Sequence, residues 1–309
     1  MEKKRLLLID SNALLHRAFH ALPPLSTKDG KPVGAVYGFL LTFFKAIKDI
    51  LPHFVVAAFD FPAPTFRHKK YKEYKAKRKK PPDEFYKQIP FIKEILSTFS
   101  IPICEKEGFE ADDIIATLVE KALKENPNLE IYILTGDLDT LQLVSDKVKV
   151  YTLGRKIKES IIYDREKVKE KYGILPSQIV DFKALAGDPS DNIPGAPGIG
   201  KKTAIEILKK FKSLKKLYEV LEKEKKEVPL KEKIKKSLLD NKEQILFSQV
   251  LAKTRKDVPL EISLKDCVFG NFNSKKVEEV FKKYEFFSLI KRLPEILKSL
   301  KTRSEGTLF

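Results

Sequence analysis

Short apolar runs alternate with amphipathic stretches along the first half of the chain. Residues 6–9, 54–59 and 131–134 are β-like apolar runs, and residues 34–51 between the first two runs have helical spacing. Strands that are buried on both faces of a parallel sheet typically form such continuous apolar runs, with helices crossing between them. The pattern predicts an α/β fold with a mainly parallel central sheet and flanking helices over residues 1–175.

The β-like pattern fades after Tyr163. Residues 176–301 are rich in lysine and have the pattern of helices joined by loops, which predicts a second, helical region with a boundary near residue 175. The last eight residues, 302–309, are predicted to form a flexible tail.

Several classes of protein are excluded by composition. No apolar run approaches the roughly 18 residues that a membrane span requires. The apolar stretch near the N-terminus is too short, and too soon acidic, for a secretory signal. The two cysteines, Cys104 and Cys267, lack metal-binding spacing, and the four histidines lack zinc-ligand spacing. A cytoplasmic protein with no membrane partner is therefore expected.

Positive charge is the strongest anomaly of the composition. The 309 residues include 60 lysines and arginines against 43 acidic residues, a formal net charge of +17. A thermophilic surface rich in lysine and glutamate usually gains both signs together, so it explains the abundance of charge better than the imbalance. The imbalance favours a polyanionic partner, above all nucleic acid.

The densest positive charge lies directly after the second predicted strand. Residues 66–80 carry nine lysines and arginines against one glutamate, and the run is interleaved with Phe66, Tyr71 and Tyr74. Such a run is usually a solvated face. Here the spaced aromatic rings favour a channel in which cations neutralise backbone phosphates and rings stack on bases.

Acidic residues recur where the predicted strands end. Asp10, Asp60 and Asp137 each follow an apolar run, and the carboxyl ends of parallel strands share the edge at which ligands bind. A single aspartate in such a place is usually a helix cap or turn residue, so the prediction depends on the whole set. The candidates are Asp10, Asp60, Glu110, Asp112, Asp113, Asp137, Asp139, Asp188 and Asp191.

Nine carboxylates in one cleft would repel one another unless cations shared the site. Hard divalent ions such as Mg²⁺ or Mn²⁺ suit oxygen ligands. Two such ions would clamp the attacking and leaving oxygens of a phosphodiester.

A glycine-rich segment, residues 195–202, nearly matches a nucleotide-binding P-loop. Lys202 stands where that loop needs serine or threonine, and no strand precedes the segment. A helix–hairpin–helix turn explains it better, since the free N–H groups at a helix start near Lys201 would hold a DNA phosphate. An ordinary Gly/Pro-rich turn is the alternative.

Five blocks of sequence, in the same order, resemble the 5′-nuclease domain of bacterial DNA polymerase I and the related phage flap endonucleases. The resemblance covers nearly the whole chain. Two positions depart from the common pattern, Ser11 in place of glycine and Leu138 in place of lysine, and neither removes a proposed ligand. The blocks begin at Leu8-Ile9-Asp10, Phe59-Asp60, Gly108-Phe109-Glu110, Thr135-Gly136-Asp137 and Gly187-Asp188.

The resemblance implies a PIN-like 5′-nuclease fold with a helical arch at about residues 63–82. It also implies a helix–hairpin–helix motif at about 188–211, within a DNA-binding region that spans 176–301. Two divalent cations, Mg²⁺ or Mn²⁺, would be bound by two clusters of carboxylates. The clusters are Asp10, Asp60, Glu110, Asp112 and Asp113 in one, and Asp137, Asp139, Asp188 and Asp191 in the other.

The resemblance also implies roles for basic and hairpin residues. Lys75 and Arg78 of the arch would bind the scissile phosphate and stabilise its developing charge. In this family the hairpin can also hold K⁺. The implied DNA contacts are Arg17, Arg67, Tyr74, Gly195, Gly198, Gly200, Lys201, Lys202 and Thr203.

The implied activity is that of a structure-specific 5′-nuclease, both a 5′-3′ exonuclease and a flap endonuclease, which removes primers and repairs DNA in replication. The expected substrates are DNA with 5′ flaps, nicks or free 5′ ends, and RNA primers. A non-catalytic branched-DNA-binding protein and a PIN-type RNA nuclease are the alternatives. The complete acidic set argues against the first alternative, and the basic arch and glycine hairpin argue against the second.

The expected setting is a monomer associated with the nucleoid that works with a DNA polymerase I module. The sequence leaves open whether the chain is free-standing or part of a longer polymerase. The final pair, Leu308-Phe309, resembles a sliding-clamp docking peptide, although a chance match to so short a segment is the stronger explanation.

Overall fold

A computed structural model describes residues 3–154, 159–223 and 228–305. Its centre is a six-stranded sheet with the order β3-β2-β1-β4-β5-β6, in which the first five strands are parallel and β6 runs antiparallel to β5. The predicted α/β fold with a mainly parallel sheet is therefore confirmed. The strands are β1 Arg5–Asp10, β2 Phe54–Ala58, β3 Ile103–Cys104, β4 Glu130–Leu134, β5 Val148–Leu153 and β6 Ser160–Tyr163.

Seven helices lie within the sheet-containing part of the described chain. The segment with helical spacing between the first two strands forms α2. This helix carries apolar residues on most of its surface and packs against one face of the sheet. Gly38 on α2 allows close contact with the helix after β1, since a Cβ at this position would lie 2.8 Å from the Cβ of Ala18. The helices are α1 Ser11–Ala21, α2 Gly34–Ile50, α3 Phe66–Lys70, α4 Asp83–Tyr86, α5 Ile89–Thr98, α6 Ala111–Glu125 and α7 Arg165–Tyr172.

The second part of the chain is helical, with three short 3₁₀ turns at Asp139–Leu143, Pro176–Gln178 and Leu264–Cys267 marking connections before and within it. Its helices are α8 Ile179–Ala186, α9 Lys201–Phe211, α10 Leu214–Lys223, α11 Glu232–Asp240, α12 Lys242–Ala252, α13 Ser274–Lys283, α14 Phe287–Ile290 and α15 Leu293–Glu305.

The two faces of the sheet carry two apolar cores. Side chains of α6, α8, α9 and α10 pack on one face, around Leu8 and Ile133. Side chains of α2, α5, α13 and α15 pack on the other face, around Leu7 and Phe43. The helical second part is thus divided between both faces, because its last helices return to the sheet and cover α2 and α5.

The expected helical arch has a different local structure. Only Phe66–Lys70 forms a helix, and turns and extended chain follow as far as Pro82. Lys75 has a φ of +55°, a left-handed conformation that ends any helix there, and Pro81 and Pro82 prevent a new one from starting before α4. Residues 66–82, called the arch segment below, therefore form an irregular loop with one short helix at its base.

The C-terminal end also differs from its prediction. The helix α15 continues to Glu305, so the first residues of the expected tail, which began at 302, are helical. The Leu308-Phe309 pair lies outside the described residues. Within the described part of the chain, no helix is long and apolar enough to cross a membrane.

Candidate metal and nucleic-acid site

Three aspartates lie side by side at the carboxyl edge of the sheet because their strands are neighbours. Asp10 is the last residue of β1 and also caps α1, where its Oδ1 accepts a hydrogen bond from the N–H of Ala13 at 3.1 Å. Asp60 and Asp137 follow β2 and β4, the two strands that flank β1. The strand order therefore turns three separate sequence positions into one acidic edge, at the place where α/β sheets bind ligands.

The start of α6 brings further carboxylates to this edge. Glu110 is the N-cap of α6, Asp112 lies in its first turn, and Asp60 accepts a hydrogen bond from the N–H of Ala111 at 2.8 Å. Together these residues form one wall of an open cleft of 610 Å³. Basic side chains of α1 and the arch segment line the same cleft. Its charged lining comprises Asp10, Asp60, Glu110, Asp112 and Asp137 together with Arg17, Lys75, Arg78 and Lys79.

The carboxylates deepest in the cleft are costly to ionise. Burial, together with the nearby charge of Asp60, raises the pKa of Asp10 to about 7, although a 2.6 Å hydrogen bond from Thr135 opposes the shift. Desolvation, together with the charges of Asp10 and Asp137, raises the pKa of Asp112 well above its ordinary value. Among the described residues, no lysine or arginine forms an ion pair with Asp10, Asp60, Asp112 or Asp137. This group of oxygens has the chemistry that hard divalent cations bind.

A second acidic group lies beside the first. Oxygens of Asp139, Asp188 and Asp191 all lie within 4.8 Å of one another. Burial and the charge of Asp137 raise the pKa of Asp139 to about 6 against the opposing effect of Lys183. For Asp188, Lys183 and Ser190 outweigh burial and lower the pKa to about 2. The oxygen donors, their spacing and their number fit a divalent cation here as well.

Asp113 does not belong to either group, so its predicted role as a metal ligand is not supported. Its side chain is fully buried, and both of its oxygens are occupied by N–H donors. Arg67 donates to them at 2.7 and 2.8 Å, the N–H of Arg255 at 2.7 Å and the N–H of Glu110 at 3.1 Å. With four donors around it, this carboxylate has no lone pair left for a cation. Its spacing from Glu110 serves a capping interaction at the start of α6.

Arg67 and Tyr74, two residues of the arch segment that were expected to contact DNA, are buried. Each side chain is 3% exposed. Arg67 is held by Asp113 and also donates to the carbonyl oxygens of Leu251 at 2.9 Å and Lys253 at 3.0 Å. The Tyr74 hydroxyl lies 3.2 Å from Glu110 and 3.1 Å from Asp191. The physical reason for this correction is that both side chains satisfy buried carboxylates, which leaves them no access to a DNA backbone.

Lys75 and Arg78, the proposed catalytic cations, lie over the cleft. The Lys75 ammonium is 2.9 Å from Glu110, and its backbone N–H donates to the carbonyl oxygen of Asp191 at 2.9 Å. Arg78 forms an ion pair with Asp191 and donates to the carbonyl oxygen of Ser190 at 3.2 Å. For Glu110, the charges of Lys75 and Arg67 outweigh burial and lower the pKa. The arch segment is thus fastened to both acidic groups through its cations.

Arg17 of α1 lines the same cleft, and hydrogen bonds hold its side chain there. Its guanidinium donates to the carbonyl oxygen of Gly154 at 2.5 Å and to the Thr152 hydroxyl at 3.4 Å. These contacts fix the side chain of α1 at the edge of the cleft, so the position is compatible with the predicted phosphate contact.

The glycine hairpin lies in the connection between α8 and α9. Gly195 packs against the preceding segment so closely that a Cβ would lie 2.4 Å from the backbone nitrogen of Gly187, so this glycine serves the turn itself. Gly198, with a φ of +77°, and Gly200, the N-cap of α9, have open space where a side chain would be. The remaining predicted contacts, Lys201, Lys202 and Thr203, form the first turn of α9.

Lys183 is a site residue that the sequence analysis missed. Its ammonium forms ion pairs with Asp139 and Asp188, and these carboxylates outweigh burial and raise its pKa. Its sequence signal is weak, because a lysine five positions before an aspartate is unremarkable in a chain so rich in lysine.

Two family models match the chain in succession. One is described as the N-terminal resolvase-like domain of 5′-3′ exonuclease and matches residues 5–173. The other is described as the C-terminal SAM fold of 5′-3′ exonuclease and matches residues 174–275. The second match begins at the residue after the first one ends.

Two bacterial proteins are 44% identical to the chain over most of its length. DNA polymerase I of Bacillus subtilis is 44% identical over 294 residues, which are 95% of this chain and 33% of the polymerase. A 5′-3′ exonuclease of Aquifex aeolicus is 44% identical over 226 residues, which are 73% of this chain and 76% of that protein. The chain thus spans about a third of the length of the polymerase relatives that it matches.

Solved structures share the fold. The T5 5′-exonuclease with bound divalent metal ions (zinc) has 22% identity and a TM-score of 0.65, over 81% of this chain and 89% of that one. The catalytic core of Rad2, solved in complex with a DNA substrate, has 18% identity and a TM-score of 0.62, over 97% of this chain and 93% of that one. At these identities the likeness concerns the fold.

The clustered carboxylates make the stability of the protein depend on pH when chelator removes divalent ions. The raised pKa values of Asp10 and Asp139 mean that the folded protein binds these protons more tightly than the unfolded chain. Their contribution to stability is therefore present at low pH and is lost as the pH rises through about 6 to 7. We expect the melting temperature in EDTA to fall between pH 5 and pH 8, and to fall less steeply in Asp112→Asn. Equal slopes for the two proteins would contradict this electrostatic account.

Asp112 and Asp113 are adjacent but should respond oppositely to substitution. In EDTA at pH 8, Asp112→Asn should raise the melting temperature, because the substitution removes like-charge repulsion. With Mn²⁺, the same variant should lose most of the stabilisation that the wild type gains from the ion. Asp113→Asn should lower stability by about 3–5 kcal/mol, because it breaks the buried pair with Arg67, and should keep the response to Mn²⁺. Thermal denaturation with and without Mn²⁺ measures both effects. Loss of the Mn²⁺ response in Asp113→Asn, without loss of stability in EDTA, would restore Asp113 as a ligand.

Proposed function

The chain belongs to the 5′-3′ exonuclease family, and on that premise we propose that it is a structure-specific 5′-nuclease that cleaves DNA at 5′ flaps, nicks and free 5′ ends. The observation that carries the proposal is the edge of the sheet at which Asp10, Asp60, Asp112 and Asp137 lie together without a basic partner. Gathering these charges is costly unless protons or a cation neutralise them, and a divalent cation would neutralise several of these carboxylates at once.

We infer that the two acidic groups hold two divalent cations, Mg²⁺ or Mn²⁺. Asp10, Asp60, Asp112 and Asp137 would provide ligands for one cation, and Asp139, Asp188 and Asp191 for the other. When bound, such cations stabilise the attacking and leaving oxygens of a phosphodiester. Glu110 lines the cleft with residues of both groups and would add a ligand once Lys75 has moved away.

The chain's own cations would position the DNA. Lys75 and Arg78 lie over the cleft and would exchange their carboxylate partners, Glu110 and Asp191, for the scissile phosphate. There they would stabilise the negative charge that develops as the bond breaks. Arg17, which lines the same cleft, would hold a neighbouring phosphate. The N–H groups at the start of α9, with Lys201 and Lys202, would hold the duplex by its backbone.

The relatives define the wider setting of the proposal. Because the polymerase relatives are about three times as long as this chain, a DNA polymerase I module, primer removal in replication and a location at the nucleoid are inferences for the whole protein. Cleavage of RNA primers, K⁺ at the hairpin, a monomeric state and sliding-clamp docking stay predictions.

The proposed activity is tested on a DNA duplex with a labelled 5′ flap, with and without Mg²⁺. We expect cleavage near the flap junction that leaves a 5′-phosphate and a 3′-hydroxyl, and no cleavage in EDTA. Asp112→Ala should abolish cleavage while preserving DNA affinity, because the carboxylate contacts DNA only through a cation. Binding without cleavage by the wild type would favour a non-catalytic DNA-structure protein. Preferential cleavage of RNA would favour a PIN-type ribonuclease.

The arch segment offers a comparison among its own lysines. Lys75→Ala should slow cleavage by roughly a hundredfold or more, as expected for the loss of an electrostatic stabiliser. Lys69→Ala and Lys79→Ala, which change lysines of the same segment, should mainly weaken binding and reduce the slope of its salt dependence by about one unit each. Single-turnover rates and binding at several salt concentrations separate these effects. Equal and small losses of rate in all three variants would reduce the arch segment to a general basic face.

A further inference from the structure

Lys183 lies where a cation is expected. It projects from α8, and its Nζ is 2.7 Å from Oδ2 of Asp188 and forms an ion pair with Oδ2 of Asp139. The side chain is 13% exposed, so the ammonium has left most of its water for these two carboxylates. Removing an ammonium from water is costly unless carboxylates compensate it, so its position is strongly determined.

The partners of Lys183 are also the carboxylates best placed for a divalent cation. Asp139, Asp188 and Asp191 form the one group in the described ranges whose ligand atoms all lie within 4.8 Å of one another. A lysine charge and a divalent cation would therefore share the same oxygens. Both cannot interact with these oxygens at full strength, because the two positive charges repel each other at this distance.

In the neighbouring acidic group, Lys75 pairs with Glu110 and acts on Asp60 and Asp112 only from beyond ion-pair distance. In residues 3–154, 159–223 and 228–305, no lysine or arginine comes within ion-pair distance of Asp10, Asp60, Asp112 or Asp137. Oxygens of Asp10 accept from Thr135 and Ala13, and those of Asp60 from the N–H of Ala111. The two groups thus differ in charge compensation although both consist of carboxylates.

We propose that Lys183 is a built-in counter-charge that makes the two divalent sites unequal, by weakening cation binding at Asp139, Asp188 and Asp191. The group that includes Asp10 and Asp112 then fills at low concentrations of divalent cation, and the group beside Lys183 fills only at higher concentrations. Lys183 is a positioning residue in this account, since it acts on the ligands and not on the substrate. The inference deepens the proposed function and rests on it, because it assumes that the second group binds a divalent cation.

A purely structural lysine would have the opposite effect. If Lys183 were needed to hold Asp139 and Asp188 in place, neutralising it would loosen the ligands and weaken the second cation site. If it is a counter-charge, neutralising it removes a repulsion, and the second site becomes tighter. The sign of the change in affinity therefore distinguishes the two roles.

The test is a titration of the full chain with Mn²⁺ alone, at pH 7.5 and without DNA. Binding is measured by calorimetry and by the electron paramagnetic resonance signal of free Mn²⁺. The wild type should bind two ions with unequal dissociation constants. In Lys183→Met, the dissociation constant of the weaker site should fall by roughly tenfold or more, because a nearby positive charge has been removed from a partly buried site. Lys183→Gln should behave in the same way, and Lys183→Arg, which keeps the charge, should stay within about threefold of the wild type.

Lys149→Met is the matched control. Lys149 is also a partly buried lysine in an ion pair, with Glu130, but it lies on β5 away from the cleft. Its substitution should leave both dissociation constants unchanged. Thermal denaturation in EDTA tests folding and adds a second readout. Lys183→Met should be less stable than the wild type in EDTA and should gain more from Mn²⁺, since the carboxylates lose their counter-charge.

Each outcome separates the two proposals. If the dissociation constant of the weaker site stays the same or rises in both neutral variants, the proposed role of Lys183 is overturned. The nuclease proposal is then unaffected. Absence of Mn²⁺ binding by the wild type overturns the assignment of metals to the cleft itself. If Lys183→Met and Lys183→Gln do not fold, the arginine variant decides, because weakening of the second site beyond threefold would show that geometry, not charge, matters at this position.

Discussion

Repulsion among carboxylates at the edge of the sheet is the constraint on which the rest of the site depends. The parallel order of β2, β1 and β4 places Asp10, Asp60 and Asp137 together as a consequence of topology. The start of α6 adds Glu110 and Asp112. In a partly desolvated cleft this arrangement is costly, and the raised pKa values of Asp10 and Asp112 express that cost. A positive charge near this edge therefore stabilises the folded protein by compensating the carboxylates, in addition to any chemical role.

The conformation of the arch segment follows from this constraint. Its lysines and aromatic residues would suit an open, solvated loop, yet Tyr74, Lys75 and Arg78 are drawn onto Glu110 and Asp191. Asn192 adds a hydrogen bond to the carbonyl oxygen of Glu73 at 2.8 Å, so the segment is joined to the turn that carries the second acidic group. In the same segment Lys75 has a left-handed conformation, and no continuous helix forms. The same carboxylates that would bind cations thus also determine where the phosphate-binding side chains lie.

Sequence patterns predicted the parts of the molecule that local rules govern. The strands β1, β2 and β4 lie in short apolar runs, and an aspartate ends or closely follows each run, so both the sheet and its acidic edge were predictable. The two-residue strand β3 has no such pattern. Asp113 could not be separated from Asp112, because the donors that occupy it, Arg67 and Arg255, are distant in sequence.

The same limitation explains two other differences. Lys183 was missed because only the tertiary fold brings it to Asp139. Arg67 was expected to contact DNA from the family resemblance, and neither the resemblance nor the charge run shows which basic residues are buried. Residues whose roles depend on a partner far along the chain are thus the ones that sequence alone misplaced.

Arg67 also explains how the two parts of the chain keep a fixed relation. Its guanidinium binds Asp113 of α6 and the carbonyl oxygens of Leu251 and Lys253 at the end of α12. At its other end, α12 contacts the glycine hairpin, where Gln244 donates to the carbonyl oxygen of Gly195 at 2.7 Å and Ser248 donates to that of Pro194. One helix therefore connects the hairpin, which is suited to hold a duplex backbone, with the helix that carries Glu110 and Asp112. A nuclease must hold the scissile bond within a fraction of an ångström of its catalytic groups, and a buried arginine that donates four hydrogen bonds is a rigid way to maintain that register.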